Sequence, residues 1–173
     1  EQGAPSEPQN ITTTWRIMAE HTTQSWQTAP HFFLMRDVIT TRLASWREKL
    51  LARSEIKITY TDLLIRILAT ALIRNPAANA TWQDGSVVRF SQVNIGLAIA
   101  LDDGLIVPVF HDAGHMSVEE IATRRAELIR KARAGKLHPQ DVSGGTFTIS
   151  NLGMYGVDAF NAILNSPQAG ILA

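Results

Sequence analysis

Ser150 stands at a place where a fold can present a hydroxyl on a rigid edge. The β-branched and aromatic run Thr146-Phe147-Thr148-Ile149 reads as a strand, and Asn151-Leu152-Gly153 turns the chain directly after it. A serine becomes a nucleophile only when a neighbouring base takes its proton. The 23 residues after Ser150 contain no His, Lys or Glu, so any base that serves this loop comes from elsewhere. Without such a partner Ser150 reads as an ordinary turn serine.

The other candidates for chemistry are sparse. The five histidines are His21, His31, His111, His115 and His138, and no two stand at a metal-ligand spacing on a helix. His111 and His115, separated by Asp112-Ala113-Gly114, read as a surface loop ahead of a metal pair. His31, between Pro30 and Phe32, reads as a packed or capping residue ahead of a base. Asp102 lies in Asp102-Asp103-Gly104 and reads as a turn-former. The absence of cysteine excludes disulfides, thiolate nucleophiles and zinc-thiolate sites.

The elements that position these residues follow from periodicity. Ile11 to Ser25 has apolar residues at helical spacing, closed by Pro30. Phe32 to Ile39 predicts a strand, and Leu43, Trp46, Leu50 and Leu51 then predict an amphipathic helix to about Arg53. From Tyr60 to Arg74, the residues Leu63, Leu64, Ile67, Leu68, Ala71 and Leu72 form a wide apolar stripe ended by Asn75-Pro76. Two or three strands are expected between Val87 and Phe110, with Val93 to Leu101 and Leu105 to Val109 joined by the Asp-Gly hairpin signal. Ser117-Val118-Glu119-Glu120 is a capping box for a helix to Ala134, with Gly135 at its end. Strands at Thr146 to Ile149 and about Ala169 to Ala173 close the chain, and the fold class is α/β or α+β with a mixed sheet.

Composition bounds the rest. The 173 residues suit one domain or the larger part of one, with formal net charge zero and 18% charged residues, below the usual quarter or so. A clustered basic excess for nucleic acid is missing, and the run Arg124-Arg125 to Lys136 reads as a solvated helix face ahead of a phosphate contact. No apolar run approaches the roughly 20 residues of a membrane span, and no charged-then-apolar start suggests a signal peptide. Residues 1–10 read as an interdomain linker, since Glu1 to Gln9 is rich in Pro, Gly and Ser without apolar periodicity, and 11–173 read as the folded domain.

Taken together the segments resemble the catalytic domain of the dihydrolipoamide acyltransferases, the core subunits of the 2-oxoacid dehydrogenase complexes. The likeness is collinear from about Ile11 to the end. It includes Ala29-Pro30-His31-Phe32, Tyr60-Thr61-Asp62-Leu63-Leu64, Val93-Asn94-Ile95-Gly96 and Gly104-Leu105-Ile106-Val107-Pro108-Val109. It continues through Gly144-Gly145-Thr146-Phe147-Thr148-Ile149-Ser150-Asn151-Leu152-Gly153 to Pro167-Gln168-Ala169-Gly170-Ile171-Leu172-Ala173.

The resemblance implies a sandwich like that of chloramphenicol acetyltransferase and transfer of an acyl group between dihydrolipoamide and coenzyme A. It implies Ser150 as a hydrogen-bond donor to the oxyanion, and coenzyme A contacts at Arg47, Thr59, Asp102, Ser150 and Asn151. It implies homotrimers assembled into cores of 24 or 60 subunits, lipoamide carried on a separate lipoyl domain, and decarboxylase and dihydrolipoamide dehydrogenase partners, in the bacterial cytoplasm or mitochondrial matrix. The family's general base lies in a His-x-x-x-Asp-Gly motif that no histidine here matches, so the chain is expected to be truncated before it and inactive alone. A catalytically inactive structural core component and a free-standing acetyltransferase of the chloramphenicol type are the alternatives.

Overall fold

The computed structural model describes residues 10–102 and 104–173, so the expected linker over Glu1 to Gln9 and the turn residue Asp103 lie outside the described residues. Helix α1 spans Thr13–Thr28 and begins where Thr12 Oγ1 accepts from the Trp15 N–H, 3.1 Å away. The next ten residues overturn an expectation. Phe32 to Ile39 forms no strand, and its side chains face solvent, with Phe32 81%, Leu34 87% and Ile39 87% exposed. β-propensity describes a fit to a neighbouring strand, and none of the described strands lies alongside.

Helix α2 (Thr41–Leu51) lays Leu43, Trp46, Leu50 and Leu51 on a small cluster of Ile58, Leu63, Val118 and Ala122. Helix α3 (Tyr60–Arg74) starts and stops as expected, but its buried face is Leu63, Ile65, Ala69 and Leu72, while Ile67 and Ala71 point outward. The stripe was wide enough to allow either rotation, and packing against helix α4 (Val118–Arg133) selects one. Helix α4 carries the capping box: Ser117 N–H donates to Glu120 Oε2 at 2.7 Å, and Glu120 N–H returns a bond to Ser117 Oγ at 3.2 Å. At its end Lys136 N–H reaches Lys131 O and Gly135 N–H reaches Ala132 O, a Schellman closure that holds Gly135 at φ +63°.

Hairpin β1 (Ala80–Gln83) and β2 (Ser86–Arg89) turns on Asp84-Gly85, a signal whose first strand the sequence reading passed over. The run expected as one strand from Val93 to Leu101 divides at Ala98. Strand β3 (Ile95–Leu97) enters the main sheet, and β4 (Ile99–Leu101) pairs instead with β5 (Gly104–Ile106), the expected hairpin. The division is bonded, because Ala98 N–H donates to Ile149 O across the break. Strands β6 (Val109–Phe110), β7 (Phe147–Ile149) and β8 (Ile171–Leu172) complete a four-stranded sheet in the order β6-β3-β7-β8. It is mixed, with β3 antiparallel to β6 and β7 parallel to both β3 and β8. The core lies between this sheet and helices α3 and α4, around Ile65, Leu72, Ile95, Phe110, Leu128 and Ile149. The short helix α5 (Pro139–Val142), unforeseen, links α4 to β7.

The quoted motifs are largely structural. The Asn94 side chain accepts the Asp112 N–H and donates to Gly144 O, while its backbone exchanges bonds with Thr146, so one residue joins the starts of β3 and β7. A Cβ on Gly96 would lie 2.7 Å from Val107 Cγ1, which leaves room only for glycine. Thr148 Oγ1 donates to Gln168 Oε1 at 2.6 Å and accepts from Asn165, and Ser25 donates to Leu164 O, so segment 164–168 is tied to both β7 and α1. That segment sets β8 against β7.

Candidate functional site

Ser150 follows the last residue of β7, and its N–H donates to Leu172 O of β8 at 2.8 Å. The backbone is thereby fixed while, among the described residues, no partner engages the hydroxyl. Asn151 then accepts the Gly153 N–H on Oδ1 at 2.9 Å and extends Nδ2 toward Thr61 Oγ1 at 3.3 Å, which holds the turn against the start of α3. Both residues line a cavity of about 880 Å³. Its walls come from the first turn of α3, the break between β3 and β4, the outward face of α4 and the loop after Ser150. Leu64, Leu97, Ile99, Leu105 and Ile129 make much of it apolar, and Arg125 and Arg133 supply positive charge.

Of the residues singled out in the sequence, Ser150, Asn151 and Thr59 meet at this cavity. Arg47 stands behind it: Nε donates to Ile58 O at 3.1 Å and the guanidinium lies 5.0 Å from the ring centre of Tyr60, a wall residue. Asp102 is exposed and follows strand β4 at the hairpin, beyond the wall residues Ala100 and Leu105. None of the histidines lines the cavity. His31 is saturated, with Nδ1–H donating to Ala29 O at 2.7 Å and Nε2 accepting from Leu164 N–H at 2.9 Å. His21 bonds Asn165, His111 bonds Gln140 O, and His115 bonds Asp112. Among the described residues no group of three or more His, Asp or Glu side chains could hold a metal ion.

Sequence reasoning passed over the charged support beneath Thr59. Asp62 is completely buried, and its Oδ2 accepts both the N–H and the hydroxyl proton of Thr59, each at 2.7 Å. Arg125 Nε donates to Asp62 Oδ1 at 2.6 Å, and Nη2 to Lys57 O at 3.2 Å. The run read as a solvated helix face is therefore partly paired: besides Arg125, Arg124 binds Glu127 and Asp141, and Lys131 binds Glu127. The His138 N–H holds Asp141 below the ordinary carboxylate range, aided by Arg124 and Lys131 and opposed by burial. Arg125 and Asp62 stand 63 residues apart, so only the fold reveals that pairing, and the Thr-x-x-Asp spacing at Thr59 and Asp62 was its one sign in the sequence.

A mixed α/β domain that holds a free serine hydroxyl over a partly apolar cavity can offer a hydrogen bond to a group bound there. The chain belongs to the 2-oxoacid dehydrogenase acyltransferase family, whose catalytic-domain model matches residues 4–173. It is 40% identical over 161 residues to the dihydrolipoyllysine-residue acetyltransferase component of the pyruvate dehydrogenase complex of Zymomonas mobilis, covering 91% of this chain and 37% of that protein. It is also 40% identical to the pyruvate dehydrogenase protein X component of Mus musculus, covering 91% of this chain and 31% of that one. The chain thus spans well under half the length of these relatives. Among solved structures it matches a probable dihydrolipoamide acetyltransferase of Listeria monocytogenes with TM-score 0.88 and 34% identity, over 99% of this chain and 74% of that one. It matches a dihydrolipoamide acetyltransferase of Azotobacter vinelandii, studied for the catalytic roles of a serine, a histidine and an asparagine, with TM-score 0.89 and 32% identity, over 95% of this chain and 70% of that one. The cubic core of a pyruvate dehydrogenase multienzyme complex matches with TM-score 0.90 and 31% identity, over 96% and 71%.

Proposed function

We propose that this domain carries half of the acyl-transfer site of a 2-oxoacid dehydrogenase core subunit, moving an acyl group between dihydrolipoamide and coenzyme A. The observation that carries the reading is the state of Ser150, whose backbone is tied to Leu172 while its hydroxyl is free at the cavity. A rigid, unactivated hydroxyl suits an oxyanion donor better than a nucleophile. In the reaction a base takes the proton from the attacking thiol, and the sulfur adds to the thioester carbon. The carbonyl electron pair moves onto oxygen, where the Ser150 O–H donates to it. Collapse re-forms the carbonyl and breaks the old C–S bond, and the departing sulfur takes the proton back.

Among the described residues no His, Lys, Asp or Glu lines the cavity, so the reading takes the base from outside these walls. The family resemblance points to a histidine that meets Ser150 across a subunit boundary in a homotrimer. Coenzyme A contacts are assigned to Thr59, Ser150 and Asn151 at the cavity, to Arg47 behind Tyr60, whose Nη atoms engage none of the described residues, and to Asp102 on the adjoining hairpin. The lipoyl arm arrives on a separate domain, and the trimers build a 24- or 60-subunit core with decarboxylase and dihydrolipoamide dehydrogenase partners, in the bacterial cytoplasm or mitochondrial matrix.

A second reading is a structural core component without turnover. It is favoured by equal 40% identity to the acetyltransferase and to the protein X component. Acetyl transfer from acetyl-coenzyme A to dihydrolipoamide, assayed on the assembled protein, separates the two. Turnover that falls about 10²–10³-fold in kcat for Ser150→Ala supports the enzyme. No turnover in the assembled wild type supports the structural reading, and an unchanged kcat in Ser150→Ala returns that serine to a turn role. The 173-residue chain assayed alone is expected to show no turnover at a family-like rate, and measurable turnover would overturn the two-part site.

A further inference from the structure

We infer that Arg125 and Asp62 are positioning residues that make Thr59 a hydrogen-bond acceptor at the cavity, where it receives an amide N–H from the thiol-bearing arm of a substrate. The inference rests on the acyltransferase reading above. Its basis is the fate of one proton. A threonine hydroxyl has one proton and two lone pairs, and here the proton points to Asp62 Oδ2 at 2.7 Å. Asp62 cannot turn away, because the same oxygen holds the Thr59 N–H at 2.7 Å and the other is held by Arg125 Nε at 2.6 Å. Arg125 is itself steadied by Lys57 O at 3.2 Å.

With its proton spent and one lone pair taken by the Asp62 N–H in the capping box, Thr59 offers the cavity only its remaining lone pair. Ser150 at the same cavity is the opposite case, its proton uncommitted. The two hydroxyls therefore discriminate: Ser150 faces developing negative charge and Thr59 faces a donor. A phosphate oxygen has no proton to give Thr59 and is excluded there. An amide N–H fits, and the apolar walls at Leu64, Leu97 and Ile129 suit the uncharged chain that carries it. Both candidate arms, the pantetheine of coenzyme A and the lipoyl-lysine tether, contain amides, and the test distinguishes them.

Isothermal titration calorimetry on the protein uses coenzyme A, analogues with each pantetheine amide N–H replaced by an ester oxygen, dihydrolipoamide, and methyl dihydrolipoate. We expect one amide-to-ester change to weaken binding to wild type by roughly 3- to 10-fold and to leave Thr59→Val unaffected. Thr59→Ser restores the wild-type response. The ligand that shows the effect identifies the arm. Arg125→Gln, which frees Asp62 to turn, reduces the amide preference while the chain stays folded by circular dichroism. Wild type that binds amide and ester forms of both ligands equally overturns the inference and leaves the acyltransferase reading standing. Wild type that binds neither ligand overturns that reading, and the inference with it.

Discussion

At the scale of single residues, what a polar side chain can do here is set by which of its bonds are already made. His31 shows this in agreement with its sequence reading as a packed or capping residue ahead of a base. Both ring nitrogens are engaged, the Nε2 lone pair by the Leu164 N–H and the Nδ1 proton by Ala29 O. No free lone pair remains to accept a substrate proton. His31→Ala leaves a backbone N–H unpaired, and we expect a loss of about 1–3 kcal/mol in denaturant unfolding. An unchanged midpoint would show that Leu164 finds another partner. Ser150, Thr59 and Asn151 stand apart because each reaches the cavity with defined hydrogen-bonding capacity.

At the scale of elements, helix α4 connects the site to stability. Its capping box closes the first turn, and Ser117→Ala is expected to cost about 1 kcal/mol in thermal or chemical unfolding. Its outer charges hold α5 through Asp141, which accepts from His138 N–H and Arg124. The folded state keeps this carboxyl below its ordinary value of 3.8. A depressed carboxyl pKa means the folded state binds its proton less readily than the unfolded state. Its stabilising contribution is therefore present above that ordinary value and lost as pH falls through the lower, folded value. We expect Asp141→Asn to be less stable than wild type at neutral pH and the gap to close in acid, followed by thermal unfolding from pH 7 down to pH ~2. A gap independent of pH would assign the effect to packing.

At the scale of the whole molecule, the exposed segment after α1 is the feature least suited to a chain in water. Phe32, Leu34, Met35, Val38 and Ile39 lie on the surface together, next to exposed Trp26. Patches of that kind drive association. The outer edge of β8 adds unpaired backbone. We expect the isolated chain to self-associate at micromolar concentration in sedimentation velocity, and Leu34→Lys with Ile39→Lys to reduce the association. A monodisperse wild type would show that the segment is tolerated as it stands.

Helix α4 could be read almost residue by residue, because caps and 3.6-residue periodicity are local and need no partner to be recognised. The β4–β5 hairpin and the Ser150 strand were legible for the same reason. Pairing was not. The rotation of α3, the division of the run at Ala98 and the failure of Phe32 to Ile39 to form a ladder all depend on groups far away along the chain. At the site, Ser150 and Asn151 stood out locally, whereas Asp62, which takes the Thr59 proton, is held by Arg125, 63 residues further on. Local propensity is written in neighbouring residues, but hydrogen-bond direction and burial belong to pairs, and the pairs form only when the chain closes on itself.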